Sequence, residues 1–345
     1  MVRAHFSAAA RASYLAANAV ILSEAKDHAY RGSQRRDSWR RAWRSPRMTS
    51  WSGRAKGVAL SSAEHPGIMD LIRAAILGII QGLTEFLPIS SSGHLILARD
   101  AMQWGLLADP HLNKMFDVAL HAGTFLALVA YFRSDIVRLL SAFFTSLRHG
   151  LKYDPDRRLA WAIAIGTIPA AIAGVKGEKI IEEKLGTPAL IAAELIVFAL
   201  LLWLADRRGR KRRDIGSANI SDGIVIGIAQ TLSLAPGVSR SGITMTAGLM
   251  RSMTRETAAR FSFLLSIPIV GGTAAYSLVS LIRHPSILPP GSASLFLVGT
   301  LAALISGYLC IRYFLRYLQT RTLMPFVVYR ILLGVAILAW SGMHR

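Results

Sequence analysis

Apolar residues run in long blocks along most of this chain, and six blocks can cross a bilayer at about 20 residues per span: 114–132, 159–175, 188–205, 258–281, 293–311 and 325–341. Two further apolar segments, 71–103 and 220–250, are interrupted midway by Pro, Gly and Ser. Broken backbone at membrane depth is tolerated only where protein or a water-filled cavity satisfies its polar groups, so each is expected to fold as a re-entrant hairpin. The pattern predicts an all-α polytopic membrane protein of about six transmembrane helices plus two re-entrant helical hairpins.

Composition agrees. Of 345 residues, 52% are hydrophobic and the mean hydropathy is +0.40, which excludes an ordinary soluble domain. The 40 Lys and Arg residues outnumber 20 acids, but they are bunched between the apolar blocks, so the net charge of +20 reads as membrane topology. No interleaved basic and aromatic groove or DNA-binding motif is present, and nucleic acid is not an expected partner. The single cysteine, Cys310, lies in an apolar run and offers neither a disulfide nor a zinc site.

Loop charge then sets orientation. Arg133, Arg138, Arg148, Lys152, Arg157 and Arg158 follow the first span, "DRRGRKRRD" (206–214) the third, and Arg312, Arg316 and Arg321 the fifth, whereas "KGEKIIEEK" after the second is balanced. Lys and Arg concentrate on the cytoplasmic side, so both ends of the membrane domain are expected outside. Residues 1–68 differ in kind: "RGSQRRDSWRRAWRSPR" is Arg- and Ser-rich and acid-poor. That composition suits a transit peptide, a disordered extension or a stretch read from a misplaced start codon. An Arg-rich external tail fits the charge pattern poorly, so the misplaced start is favoured and the membrane domain is expected to span 69–345.

An internal repeat links the hairpins. Setting "QGLTEFLPISSSG" (81–93) on "QTLSLAPGVSRSG" (230–242) pairs Gln81 with Gln230, Ser90 with Ser239, Ser92 with Ser241 and Gly93 with Gly242, always 149 positions apart. The same offset carries "AGT" (122–124) onto "GGT" (271–273). Each copy, about 69–206 and 219–345, is a hairpin followed by three spans, so the second must be inverted. Inverted repeats with broken helices place the working site near the midplane, where the two polar tips should meet.

The tips carry chemistry. Gln81 and Glu85 are four apart on one helix face and can hold a divalent cation through oxygen. An ionisable group at this depth is expensive, which argues for function at Glu85. Any one of Ser90, Ser91 and Ser92 is better explained by helix capping, but beside Glu85 and His94 they make a site. In "PGVSRSGIT" (236–244), Arg240 stands between Ser239 and Ser241 after a Pro-Gly turn, and its planar fork suits phosphate. Carboxylate, imidazole, hydroxyl and guanidinium together suit phosphoryl transfer: Arg240 and a metal offset phosphate charge, a serine attacks and His94 moves the proton. Asp117 and His121, and Glu194, are secondary candidates for which a structural role is the better explanation.

The elements "QGLTEFLPISSSGH" and "PGVSRSGIT" closely resemble the two signatures of the undecaprenyl-diphosphatase, or bacitracin-resistance, family, with the likeness running from about residue 69 to the C-terminus. The resemblance implies hydrolysis of undecaprenyl diphosphate to the monophosphate carrier used in peptidoglycan synthesis, in the bacterial cytoplasmic membrane, with the site open to the periplasmic side. It implies Gln81 and Glu85 as the site of a divalent cation, Mg²⁺ or Ca²⁺, Ser91 as nucleophile and His94 as proton-transfer residue. Ser239 and Arg240 become diphosphate binders, supported by Ser90, Ser92, Ser241 and Thr244. Gln81 stands where many relatives have Glu and can bind only through its amide. The bilayer and a polyprenyl diphosphate are the expected partners, and a homodimer is compatible. The rival reading is a polyprenyl-phosphate flippase or other transporter, since inverted repeats are common among alternating-access proteins.

Overall fold

In the computed structural model, the described residues are 66–102, 104, 110–150, 154–185, 187–283 and 291–343. The extension anticipated over 1–68 thus lies almost wholly outside them. The described residues form ten α-helices: α1 (Ile68–Phe86), α2 (Ser91–Met102), α3 (Pro110–His149), α4 (Pro155–Leu185), α5 (Pro188–Arg208), α6 (Ile220–Thr231), α7 (Arg240–Met250), α8 (Arg255–Arg283), α9 (Ala293–Thr320) and α10 (Met324–Met343). Six of them, α3–α5 and α8–α10, are long and apolar enough to span a membrane. The remaining four are the arms of the two hairpins, α1–α2 and α6–α7, each broken where proline was read as the breaker. The protein is an all-α polytopic membrane protein.

The two repeats interlock by exchange. The first hairpin arm of each packs on the second span of the other: α1 on α9, and α6 on α4. The third spans, α5 and α10, pair with each other. The exchange is written in small residues. Gly78 and Gly82 on α1, and Gly223 and Gly227 on α6, are GxxxG pairs, and Gly78 and Gly227 are repeat mates. A Cβ on Gly78 would run into the Gly299 carbonyl oxygen of α9, and one on Gly227 into the Gly166 carbonyl oxygen of α4. Apolar burial gives helices little reason to associate in lipid, so close backbone approach of this kind is what holds them.

The opposite face of α1 confirms its setting. Ile72, Ile76, Ile79 and Leu83 form an exposed stripe at helical spacing, while Leu77, Gln81 and Glu85 are buried. Leu297, Leu301, Ile305 and Leu309 do the same on α9. Such contiguous apolar exposure is a lipid-facing surface.

Three segments read as loops are helical: α4 runs through "KGEKIIEEK" to Leu185, α9 runs past Arg312 and Arg316 to Thr320, and the third follows the first span. The first span was read to stop at residue 132, with a basic loop beyond, yet α3 bends at Phe132 (φ −95°, ψ 16°) and continues as helix to His149. Ile136, Leu139, Leu140, Phe143 and Phe144 keep the helical apolar period through the arginines. Gly150, at φ 71°, ends the helix by donating its N–H to the Ser146 carbonyl at 2.8 Å. Asp135 anchors this extension, accepting from Arg138 and from Arg260 of α8, each at 2.7 Å.

Candidate active site

The hairpin tips touch. Ser90 and Ser92 both donate their hydroxyls to the Pro236 carbonyl, Ser92 at 3.0 Å, and Ser241 donates to the Leu87 carbonyl at 2.9 Å. Each tip thereby satisfies backbone groups that the other's break exposes.

Glu85 lies at this junction, 8% exposed. Its Oε2 accepts from Ser91 Oγ at 2.6 Å and from Gln81 Nε2 at 3.1 Å, and its Oε1 accepts from Arg240 Nη2 at 2.9 Å. His121 Nε2 stands 3.7 Å from Oε2. The carboxylate therefore ties a hydroxyl of α2 to a guanidinium of α7 at the meeting point of the repeats. A hydroxyl on a buried carboxylate has a ready proton acceptor.

Two buried atoms at this point have no partner among the described residues: Gln81 Oε1 and Arg240 Nη1. A buried polar atom left unpaired is costly, so the pair ask for ligands of opposite kind, a cation for the amide oxygen and an anion for the guanidinium. Among the described residues no group of three His, Cys, Asp or Glu side chains could hold a metal. Gln81 and Glu85 are the side chains here that could hold a divalent ion.

His94 is placed differently from what the sequence alone suggests. Its Nδ1 meets the Ser90 carbonyl at 2.7 Å and its Nε2 meets the Tyr329 hydroxyl at 2.6 Å, with the rings stacked at 5.5 Å. Ser91, three residues earlier on the same helix, shares its face but turns its hydroxyl to Glu85. In the second hairpin, Ser239 caps α7 by accepting from the Gly242 N–H at 3.2 Å, and its hydroxyl lies 3.2 Å from that of Ser241. Thr244 bonds back to the Arg240 carbonyl at 2.8 Å and to Ser262 of α8 at 2.7 Å, behind the site.

Of the secondary candidates, Asp117 accepts from Arg99 at 2.8 Å while His121 leans toward Glu85, so the two side chains serve different partners. Glu194 accepts the Gly237 N–H at 2.8 Å and steadies the second tip from α5.

The residue that sequence reasoning missed is Arg330. Fully buried on α10, it donates to the carbonyls of Pro88, Gly237 and Val238 at 3.2, 2.9 and 3.0 Å, and to Leu195 at 3.2 Å. One guanidinium thus holds both tips. The signal was present: an arginine inside the apolar block 325–341 is costly unless it works. Tyr329, its neighbour, was hidden for lack of any charge to mark it.

The family described as bacitracin resistance protein BacA matches over residues 74–336. A protein of Geobacter sulfurreducens, named undecaprenyl-diphosphatase, is 50% identical over 273 residues, covering 79% of this chain and 98% of its own length. Equally named proteins of Geotalea daltonii and Trichlorobacter lovleyi are 48% and 46% identical, covering 77% and 79% of this chain and 96% and 98% of theirs.

Proposed function

Because the chain belongs to the bacitracin resistance protein BacA family, we propose that it is an integral-membrane undecaprenyl-diphosphatase, releasing phosphate and undecaprenyl phosphate from undecaprenyl diphosphate. The observation that carries the reading is the Ser91–Glu85–Arg240 chain across the two tips, at 2.6 and 2.9 Å. A flippase needs phosphate-binding groups but no hydroxyl seated on a carboxylate.

Arg240, with one nitrogen on Glu85 and the other unpaired, receives the diphosphate and offsets its charge. Ser91 Oγ attacks the terminal phosphorus while Glu85 Oε2 takes its proton. The bond from that phosphorus to the bridging oxygen breaks, and undecaprenyl phosphate leaves. The water that then cleaves the phosphoserine gives its proton to His94 Nε2, which leaves the Tyr329 hydroxyl to take it, and inorganic phosphate is freed. Ser90, Ser92, Ser239, Ser241 and Thr244 hold the tips and the start of α7 in register for these steps. Gln81 and Glu85 would hold a divalent cation, which supplies further charge neutralisation for the phosphate oxygens when bound.

Family membership supports a site opening to the periplasmic side of the bacterial cytoplasmic membrane, and the loop charges agree in that the first hairpin enters from the outside. The test is phosphate release from undecaprenyl diphosphate by the purified protein, with and without Mg²⁺, beside Arg240→Ala. Mg²⁺-dependent release that the variant loses is the expected result; equal release by both proteins overturns the reading.

A further inference from the structure

A cavity of about 300 Å³ opens between the C-terminal ends of α5 and α7, lined by Leu204, Arg208, Arg210, Met250 and Ser252 among others. It lies roughly 20 Å along α5 from Glu194, and so from the hairpin tips.

The charges around it are unevenly satisfied. Asp206 accepts from Arg255 and stands 3.8 Å from Lys211, and Asp222 accepts from Arg213 and Arg251. Arg207 lies over the Trp203 ring at 5.5 Å. Arg208 and Arg210, both exposed, have no carboxylate partner among the described residues.

The wall is also built. The N–H groups of Arg212 and Arg213 donate to the Ser252 carbonyl at 2.9 and 3.0 Å, and the Thr254 N–H returns to the Arg213 carbonyl at 3.0 Å. Lys211 and Ser252 hold φ of 50° and 65°, left-handed conformations that persist only where the surroundings impose them. Positive charge that merely sets topology needs no fixed shape. Here the basic segment is hydrogen-bonded to the end of a helix and fixed around a space.

The lining has two chemistries. Arg208 and Arg210 offer guanidinium forks suited to a phosphodiester. Leu204 and Met250, the latter 58% exposed, continue the apolar helix surfaces toward the bilayer. A free phosphate would use only the first; an amphiphile uses both.

We propose that this cavity binds the headgroup of an anionic phospholipid, its phosphate between Arg208 and Arg210 and its acyl chains against Leu204 and Met250. The site is separate from Glu85 and independent of the hydrolytic reading.

Native mass spectrometry of the full chain in detergent, titrated with phosphatidylglycerol or phosphatidylcholine, tests it. The Arg208→Gln/Arg210→Gln variant should lose about 30-fold in affinity for phosphatidylglycerol, as expected for two lipid-facing arginines. Phosphatidylcholine carries the same phosphodiester but its choline cancels the net charge, so it should bind the parent more weakly and lose less than phosphatidylglycerol in the variant, and an unchanged unfolding temperature shows the variant intact. Undiminished phosphatidylglycerol binding overturns the proposal. So does displacement of the lipid by millimolar inorganic phosphate, which would make this a site for free anions. Should the double variant fail to fold, Arg210→Gln alone, in the exposed segment, is expected to lose about fivefold and is judged by the same outcomes.

Discussion

Ser90 and Ser239, 149 positions apart, share a positive φ, 73° at the first and 71° at the second, each just ahead of the helix that returns from a hairpin tip. The internal repeat therefore extends to a strained dihedral. Left-handed backbone costs an L-residue about 1–2 kcal/mol and survives here because each hydroxyl is locked, Ser90 on the Pro236 carbonyl and Ser239 on the Gly242 N–H. Alanine and glycine both remove the hydroxyl, but only glycine removes the strain. Ser90→Gly should thus be more stable than Ser90→Ala by about 1 kcal/mol, and Ser239→Gly than Ser239→Ala likewise, as read by chemical unfolding in detergent. The reverse order at either position would mean that its φ carries no strain.

The exchanged packing of α1 on α9 and of α6 on α4 predicts equal sensitivity at its repeat-related glycines. Gly78→Val and Gly227→Val each push a side chain into a carbonyl of the facing helix, at Gly299 and Gly166. Both should lower the unfolding temperature strongly, as overpacking costs about 1–3 kcal/mol or more where backbone must move. Gly174, with open space around its Cβ position, is the control: Gly174→Val should change little.

Arg330 holds four carbonyls and has no carboxylate partner among the described residues. Arg330→Met leaves those oxygens unsatisfied, each at a cost of about 1–3 kcal/mol, and should not fold. Arg330→Lys keeps the charge but lacks the fork, so it should fold with a reduced kcat and a nearly unchanged KM, because the tips are held less firmly around the reacting groups. A lysine variant with full kcat would reduce Arg330 to packing.

Asp222, where the second hairpin leaves its loop, predicts a pH dependence. Burial pushes its carboxyl up, but hydrogen bonds from Arg213 and Arg251, and the Asn219 backbone N–H, outweigh it and hold the group below the usual carboxylate range. The folded state therefore binds its proton more weakly than the unfolded chain. The stability from this group is full above the ordinary carboxylate range and is lost as pH falls through it toward the depressed value. Unfolding temperature should fall on acidification less steeply in Asp222→Asn, which starts lower, than in the parent protein.

Much of this was legible in the sequence, for identifiable reasons. Proline and serine inside apolar blocks marked both tips, and the constant offset between Gln81 and Gln230 related them before any coordinates. Glu85 and Arg240 were visible because charge at membrane depth is conspicuous. What escaped depended on tertiary placement. His94 shares a helix face with Ser91, yet the hydroxyl turned to Glu85 and the imidazole to Tyr329, a choice made by α10 rather than by spacing. Arginines 133, 138 and 148 obscured the helical apolar period that carries α3 past Phe132. GxxxG pairs at Gly78 and Gly223 were readable, but their partners lie in the other repeat.

The account rests on the carboxylate that joins the hydroxyl of one repeat to the guanidinium of the other. Its most direct test is phosphate release from undecaprenyl diphosphate by the full chain in detergent with Mg²⁺, beside Glu85→Gln, which keeps the shape and removes the charge. We expect turnover by the parent protein and a loss of about 10²-fold or more in a variant that remains folded. Undiminished release by Glu85→Gln, or none from a folded parent, would contradict the account.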